Sequence, residues 1–267
     1  MGAVTTVENQ VGARSNYVMW YAHWSGPGSV FDVASTQAVI NHGSTPIVSW
    51  ISDDAGASQD AFPTPAIASG QFDGYIQSWA QAVKQVHGTI LLRFDYEMNG
   101  NWSAYDAGVD GQTALDYVNA WRHVHDVFAA AGVTNVRWVW SPNVVYNGST
   151  PLALLYPGDA YVDWVGVDGY NWGPSDVWHT WQSFNQVFAP TIAQLQALTS
   201  RPLMISEVAS GTLGGDKAAW ITDMFHSLAA QPNIKAFVWF DANKEEDWRI
   251  DSSSATLAAF HNGLFGS

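Results

Sequence analysis

The sequence predicts an α/β fold and, within that class, a (β/α)8 barrel. Seven short apolar runs recur along the 267 residues, and segments with helical spacing of apolar residues lie between them. The runs are near-continuous and do not alternate with polar residues, as expected for strands buried on both faces of a parallel sheet. A chain of this length commonly fills one barrel, so we expect a single catalytic domain over residues 1–267. A doubly wound open sheet is the alternative.

The predicted strands follow one another at regular intervals along the chain. In order they are YVMWY (17–21), TPIVSW (45–50), TILLRF (89–94), NVRWVW (135–140), VDWVGV (162–167), PLMIS (202–206) and IKAFVWF (234–240). Helices between them are predicted from apolar residues three and four positions apart, such as Phe72, Ile76, Trp79 and Val83. Strand and helix therefore alternate, which favours the barrel.

The N-terminal segment AVTTVENQVGA has a different pattern. Val4, Val7 and Val11 stand at helical spacing, with Glu8 on the opposite face. We expect a helix or a poorly ordered segment there, so the first strand of the barrel is predicted to be short or missing.

Charge and composition restrict the partners. Ten Lys and Arg against twenty-four Asp and Glu give a net charge of -14, which repels phosphate backbones and anionic lipid. We expect neither a nucleic-acid nor a membrane partner. Cysteine is absent, which excludes disulfides and thiolate metal sites, and we expect no metal and no cofactor. We further expect a monomer and an extracellular protein whose signal peptide has been removed.

The aromatic content and two glutamates indicate chemistry on sugars. The chain has fifteen Trp, and indole rings match the apolar faces of sugar rings, although an aromatic-rich core would explain them equally well. Glu97 and Glu207 each lie at or beyond the end of a predicted strand, where barrels of this kind place their active sites. Two carboxyl groups facing one another can cleave a glycosidic bond, one as acid and the other as nucleophile or base. Either glutamate alone could instead form an ion pair or cap a helix.

Five motifs at these strand ends carry a family resemblance. The runs RFDYEMNGNW, RWVWSPN, DWVGVDGYNW, MISEVASG and FVWFDANKEEDWR resemble glycoside hydrolase family 26, in order and spacing, from about residue 17 to residue 249. The best-known members of that family are endo-β-mannanases, beside mixed-linkage β-glucanases and β-1,3-xylanases. The resemblance implies a (β/α)8 barrel with the acid/base glutamate after its fourth strand, although only two strands are legible before the one that Glu97 follows.

The same resemblance implies roles for individual residues. Glu97 is the expected acid/base and Glu207 the expected nucleophile, with Tyr170 hydrogen-bonded to the nucleophile. Trp102 is expected to line the pocket beside the cleaved bond, and Trp239 to lie under the sugar that is attacked. The remaining strand-end residues expected to bind substrate are Trp172, Asn143, Tyr96 and His23.

The predicted function is a retaining, endo-acting hydrolase of a plant β-glycan, first of all β-1,4-mannan or glucomannan. Tyr96 stands where the mannanases usually have His, so a mixed-linkage β-1,3-1,4-glucanase or a β-1,3-xylanase is the alternative. A carbohydrate-binding protein on the same barrel is the non-enzyme alternative. An aldolase or isomerase, the weaker third option, would require a phosphate site or a Schiff-base lysine; no lysine lies at the end of a predicted strand, although Lys244 follows the last one by a few residues.

Overall fold

The computed structural model describes residues 1–54, 61–175 and 177–266. Within these residues seven strands form a sheet whose order follows the chain, and the pairings established for it are parallel. The strands are β1 Tyr17–His23, β2 Thr45–Ile51, β3 Ile90–Phe94, β4 Val136–Trp140, β5 Trp164–Asn171, β6 Leu203–Ser210 and β7 Ile234–Trp239. The helices are α1 Gly2–Val11, α2 Val33–His42, α3 Thr64–Ala68, α4 Asp73–Val83, α5 Ala114–Ala130, α6 Leu152–Leu155, α7 Phe184–Leu198, α8 Lys217–Ala229 and α9 Ser254–Phe265. This alternation confirms the fold class predicted from the sequence.

Local sequence explains why these elements form. All five residues of β3 and all eight of β6 are buried, as expected for strands covered on both faces of a parallel sheet. Helices α5 and α7 begin with reciprocal capping boxes, formed by Thr113 with Asp116 and by Ser183 with Gln186. These caps satisfy backbone N–H groups that a helix start would otherwise leave without partners.

The N-terminus is helical, as its valine spacing predicts. Helix α1 buries Val11 and ends at Gly12, whose φ of 70° is left-handed and whose N–H donates to the Glu8 carbonyl at 2.8 Å. Among the described residues no strand precedes β1. The strand before Glu97 is therefore the third among the described residues.

The chain divides into two compact units, Asn16–Val165 and Met1–Ser15 together with Gly166–Ser267. In the first unit Trp50 stacks on Trp79 at 4.5 Å between ring centroids, beside Phe94. In the second, Phe225 packs against Phe237 and Phe260. Much of the aromatic content is therefore core.

The single domain over residues 1–267 stays a prediction. None of the described helices is long and apolar enough to span a bilayer.

Candidate active site

Glu97 lies three residues beyond β3 in a sharply turned segment of the first unit. Its φ is 57°, and that of Asp95 is 38°, so two non-glycine residues take up left-handed backbone. Its N–H donates to the Ser141 carbonyl at 2.7 Å, and its own carbonyl accepts from the Gly100 N–H at 2.8 Å. Such backbone costs free energy and tends to occur at functional sites, because the surrounding structure must hold it in place. These bonds fix the main chain from which the Glu97 carboxylate projects.

Trp102 contacts this carboxylate directly. Its indole N–H donates to Glu97 Oε2 at 3.0 Å, while half of the side chain, 51%, remains exposed. The ring lies against Gly100, where a Cβ atom would come within 2.6 Å of it. Trp102 is therefore placed beside the predicted acid/base, as expected, and glycine at position 100 makes room for it.

A buried carboxyl group, that of Asp106, binds the backbone of the loop that carries Trp102. Asp106 Oδ2 accepts the backbone N–H groups of Trp102 at 3.0 Å and Ser103 at 2.9 Å. Burial raises the pKa of Asp106 to about 7, although these two hydrogen bonds act in the opposite direction. Its Oδ1 atom is buried and has no hydrogen-bond partner in the described part of the chain. The sequence analysis did not identify Asp106, since the acidic loop YDAGVDGQT gives no signal that one of its carboxylates is buried.

Asp95 is a second buried acid in this unit. Burial raises its pKa well above the usual range, and nearby Asp53 and Asp106 add to that effect. Its two carboxyl oxygens accept from the backbone N–H and the hydroxyl of Ser52, each at 2.7 Å, which opposes the shift. Asp95 therefore ties the end of β2 to the turn that carries Glu97.

Asn143 is held through its backbone by Asn99 of the EMNG motif. Asn99 Oδ1 accepts the Asn143 N–H at 2.8 Å, and Asn99 Nδ2 donates to the Asn143 carbonyl at 2.9 Å. The half-buried Asn143 side chain remains a predicted substrate ligand. Asn99, which the sequence analysis did not single out, links the loop after β4 to the Glu97 turn.

Tyr96 packs on a buried cation. The guanidinium carbon of Arg93 lies 3.9 Å from the centroid of the Tyr96 ring. The ring centroid of Tyr21, in β1, lies 5.8 Å from that of Tyr96. Arg93 is fully buried and donates to Ser49 Oγ at 3.0 Å. Residue 96 is thus a neutral aromatic side chain fixed over a positive charge, an arrangement in which a protonated histidine would be repelled.

His23, predicted to bind substrate, ends β1. Its Nδ1 makes a short contact to Asp53 Oδ1, and both side chains are about one-third exposed. The carboxylate orients the ring, and its role toward a sugar stays a prediction.

In the second unit, Glu207 lies within β6 and is only 4% exposed. The Tyr170 hydroxyl, from the end of β5, donates to Glu207 Oε2 in a short hydrogen bond. The structure thus brings together the pair that the resemblance implied. A hydroxyl donor holds a buried carboxylate in one orientation.

Trp248 supports this pair and was not identified from the sequence. Its ring lies 5.1 Å from Tyr170 and 4.8 Å from Trp172, edge-on to the latter, and it is 1% exposed. Trp172 is half-buried and stacks on His179 at 5.4 Å. Trp248 sits within the charged run NKEEDWR, whose composition suggests a solvated loop.

Trp239, the predicted sugar platform, is half-buried at the end of β7. Its ring packs against Trp220 of α8 at 6.2 Å and Phe260 of α9 at 5.5 Å, and its N–H donates to the Trp248 carbonyl at 2.9 Å. These contacts place it among the helices and support the Trp248 loop. Its contact with substrate stays a prediction.

Lys217, at the start of α8, anchors the same loop. It is buried, and its ammonium donates to the carbonyls of Asp247 at 2.7 Å and Arg249 at 2.8 Å. Burial lowers the pKa of Lys217 to about 8, although Asp247 and Asp241 oppose the shift. Among the described residues no group of three His, Asp or Glu side chains is placed to hold a metal ion.

Each unit thus contains a glutamate on or just beyond a strand of the α/β sheet that accepts a hydrogen bond from an aromatic side chain, which is the kind of group that barrel glycosidases use. The family model of glycosyl hydrolase family 26 matches residues 20–262, and the chain belongs to this family. Members of this family are glycoside hydrolases.

Relatives and solved structures agree with this family. Endoglucanase H of Acetivibrio thermocellus is 37% identical over 98% of this chain, which spans 29% of that protein. A mannan endo-1,4-β-mannosidase of Bifidobacterium adolescentis is 28% identical over 56% of this chain and 14% of that protein. The catalytic domain of an endo-β-1,4-mannanase from Bacillus sp. JAMB-750 shares the fold, with a TM-score of 0.73 at 19% identity over 97% of this chain and 78% of that one.

Proposed function

We propose that this chain is a glycoside hydrolase that cleaves β-glycan chains internally and retains the anomeric configuration, with Glu97 as acid/base and Glu207 as nucleophile. The observation that carries the proposal is that each glutamate is oriented by an aromatic donor, Trp102 Nε1 for Glu97 and the Tyr170 hydroxyl for Glu207. A binding protein would have no need of two oriented carboxylates at strand ends.

The proposed reaction has two steps. In the first, Glu207 attacks the anomeric carbon while Glu97 gives its proton to the leaving glycosidic oxygen, which forms a covalent glycosyl ester and releases the shortened glycan. In the second, the Glu97 carboxylate takes a proton from water, and the resulting hydroxide displaces Glu207 from the same carbon. The acid thereby regains its proton, and two inversions give net retention. The mechanism requires the two carboxyl groups about 5 to 5.5 Å apart.

Glucan is the first proposed substrate, and mannan or glucomannan, favoured by the motifs, the second. The support is the 37% identity to Endoglucanase H over 98% of the chain, against 28% over 56% for the mannosidase. Tyr96 adds to it, because its ring is packed on Arg93 where the mannanases usually have histidine. Mannose has an axial 2-hydroxyl and glucose an equatorial one, so a site that hydrogen-bonds one positions its polar groups wrongly for the other.

The test is kcat/KM on mannan, glucomannan, mixed-linkage β-1,3-1,4-glucan and β-1,3-xylan, with the anomer of the first product followed by NMR. We expect retention and a preference for glucan of at least tenfold, about 1.4 kcal/mol in transition-state binding. Tyr96→His should shift the preference toward mannan. A native preference for mannan would reverse the substrate order, and inverted product would refute the two-step mechanism. Binding to these glycans without any release of reducing sugar would support the binding-protein alternative.

We further propose that the chain acts outside the cell and as a monomer. The proposed polymeric substrate supports the first, because a polysaccharide is too large to enter a cell intact. Cell fractionation tests location, and light scattering tests the oligomeric state.

A further inference from the structure

Two exposed aromatic rings stack on each other beside Glu97. Trp102 is 51% exposed and Tyr146 39%, and their ring centroids lie 6.0 Å apart at an interplanar angle of 29°. Tyr146 belongs to the loop after β4, and its hydroxyl makes no hydrogen bond to the protein within the described residues. An exposed apolar ring with a polar tip that has no protein partner is the surface that sugars recognise.

Both rings are held in place before any ligand arrives. The Tyr146 carbonyl accepts the backbone N–H of Ser149 at 3.1 Å and its hydroxyl at 2.9 Å, which closes a tight turn. The next residue, Thr150, donates its N–H to the Asn99 carbonyl at 3.0 Å and so joins this turn to the Glu97 loop. A preformed surface of this kind avoids the entropy cost of ordering side chains on binding.

We infer that Trp102 and Tyr146 form one subsite for a sugar on the leaving-group side of the cleaved bond, with Tyr146 as its outer half. The inference rests on the proposed function, in which Glu97 protonates the leaving oxygen. Trp102 donates to that same carboxylate, so the sugar attached to the leaving oxygen lies next to its ring. The Tyr146 ring, which stacks on Trp102, supplies the second ring of this surface, and we assign it to the following sugar. The ligand class is a β-linked pyranose chain, whose apolar C–H faces cover the rings.

The test compares two substrates that differ on the leaving-group side. One is an oligosaccharide of the hydrolysed glycan with at least two sugars beyond the cleaved bond. The other is an aryl β-glycoside with the same sugars on the other side and an activated phenol as leaving group. For Tyr146→Ala, we expect the loss of kcat/KM on the oligosaccharide to exceed that on the aryl glycoside by about tenfold, mainly through KM.

Two further variants separate stacking from general damage. Tyr146→Phe keeps the ring and should recover most of the affinity for the oligosaccharide. Phe265→Ala, at a 54% exposed aromatic of α9, is the matched control and should behave as native. Equal losses of Tyr146→Ala on both substrates, or no loss on either, would overturn the subsite.

Failure of this inference differs from failure of the proposed function. Native hydrolysis with an unaffected Tyr146→Ala overturns the subsite and leaves the proposed function standing. A native protein that hydrolyses neither substrate, but whose calorimetric affinity for the oligosaccharide falls in Tyr146→Ala, overturns the proposed function and supports the aromatic site.

Discussion

Asp106→Asn changes the buried acid under the Trp102 loop and makes stability respond to pH in a defined way. An asparagine oxygen can still accept the N–H groups of Trp102 and Ser103, which the carboxylate accepts at 3.0 and 2.9 Å. The variant therefore keeps the support of the loop but removes a titrating group from the interior.

The magnitude follows from the displaced pKa. Burial raises the pKa of Asp106 from 3.8 to about 7, roughly 3 units at about 1.4 kcal/mol each, or about 4 kcal/mol. The folded protein keeps this proton up to about pH 7, whereas the unfolded chain loses it near pH 4. The folded state thus binds more protons between these values, and the contribution to stability, complete below about pH 4, is lost as the pH rises through 7.

The assay is urea unfolding followed by tryptophan fluorescence between pH 4 and 8. The free energy of unfolding of Asp106→Asn relative to native should increase by up to about 4 kcal/mol across this range. Below about pH 7 the protonated carboxyl already carries an O–H at Oδ1, where no partner lies, so the amide donor at that position does not change the slope of the difference. Asp110→Asn is the control, at an exposed position whose φ of 47° asparagine tolerates. Parallel curves for native and Asp106→Asn would refute the reasoning.

Three further variants test the site. Glu97→Ala should lower kcat/KM on the polymer by about 10²- to 10⁴-fold, and far less on an aryl glycoside that needs no proton; equal losses would contradict its role. Tyr170→Phe removes the donor to Glu207 and should lower kcat about 10- to 100-fold, as loss of a hydrogen bond to a charged group does; near-native kinetics would argue against that contact. Burial lowers the pKa of Lys217 from 10.5 to about 8, so the unfolded chain binds more protons between these values and native stability should rise with pH there. Lys217→Met should lack this rise when the free energy of unfolding is measured at pH 8 and 10.5. The same difference in free energy of unfolding between variant and native at both pH values would contradict the prediction.

Regular features of this fold were predictable because they depend on local pattern. Apolar runs predicted the seven strands found in the described part of the chain, and valines three and four apart predicted α1. Glu97 and Glu207 could be singled out because a carboxylate beside an apolar strand is unusual, and Tyr170 followed from the family motif.

Residues that act through long-range contacts were not predictable. Nothing in YDAGVDGQT distinguishes the buried Asp106 from the exposed Asp110, because only the folded loop decides which carboxylate is covered. Tyr146 and Trp102 are 44 positions apart in the printed sequence, and only the tertiary fold stacks them. Trp239 ends its strand as predicted, but Trp220 of α8 and Phe260 of α9, which pack on its ring, come from elsewhere in the sequence.

The covalent intermediate on Glu207 tests the central claim most directly. A 2-deoxy-2-fluoro β-glycoside of the preferred sugar, with dinitrophenol as leaving group, should form the ester rapidly and hydrolyse it slowly, because fluorine destabilises both oxocarbenium-like transition states. Mass spectrometry of the intact protein should then show the addition of one glycosyl unit, and peptide mapping should locate it on Glu207. An adduct on another residue, or inverted product with no adduct from an active enzyme, would contradict the account.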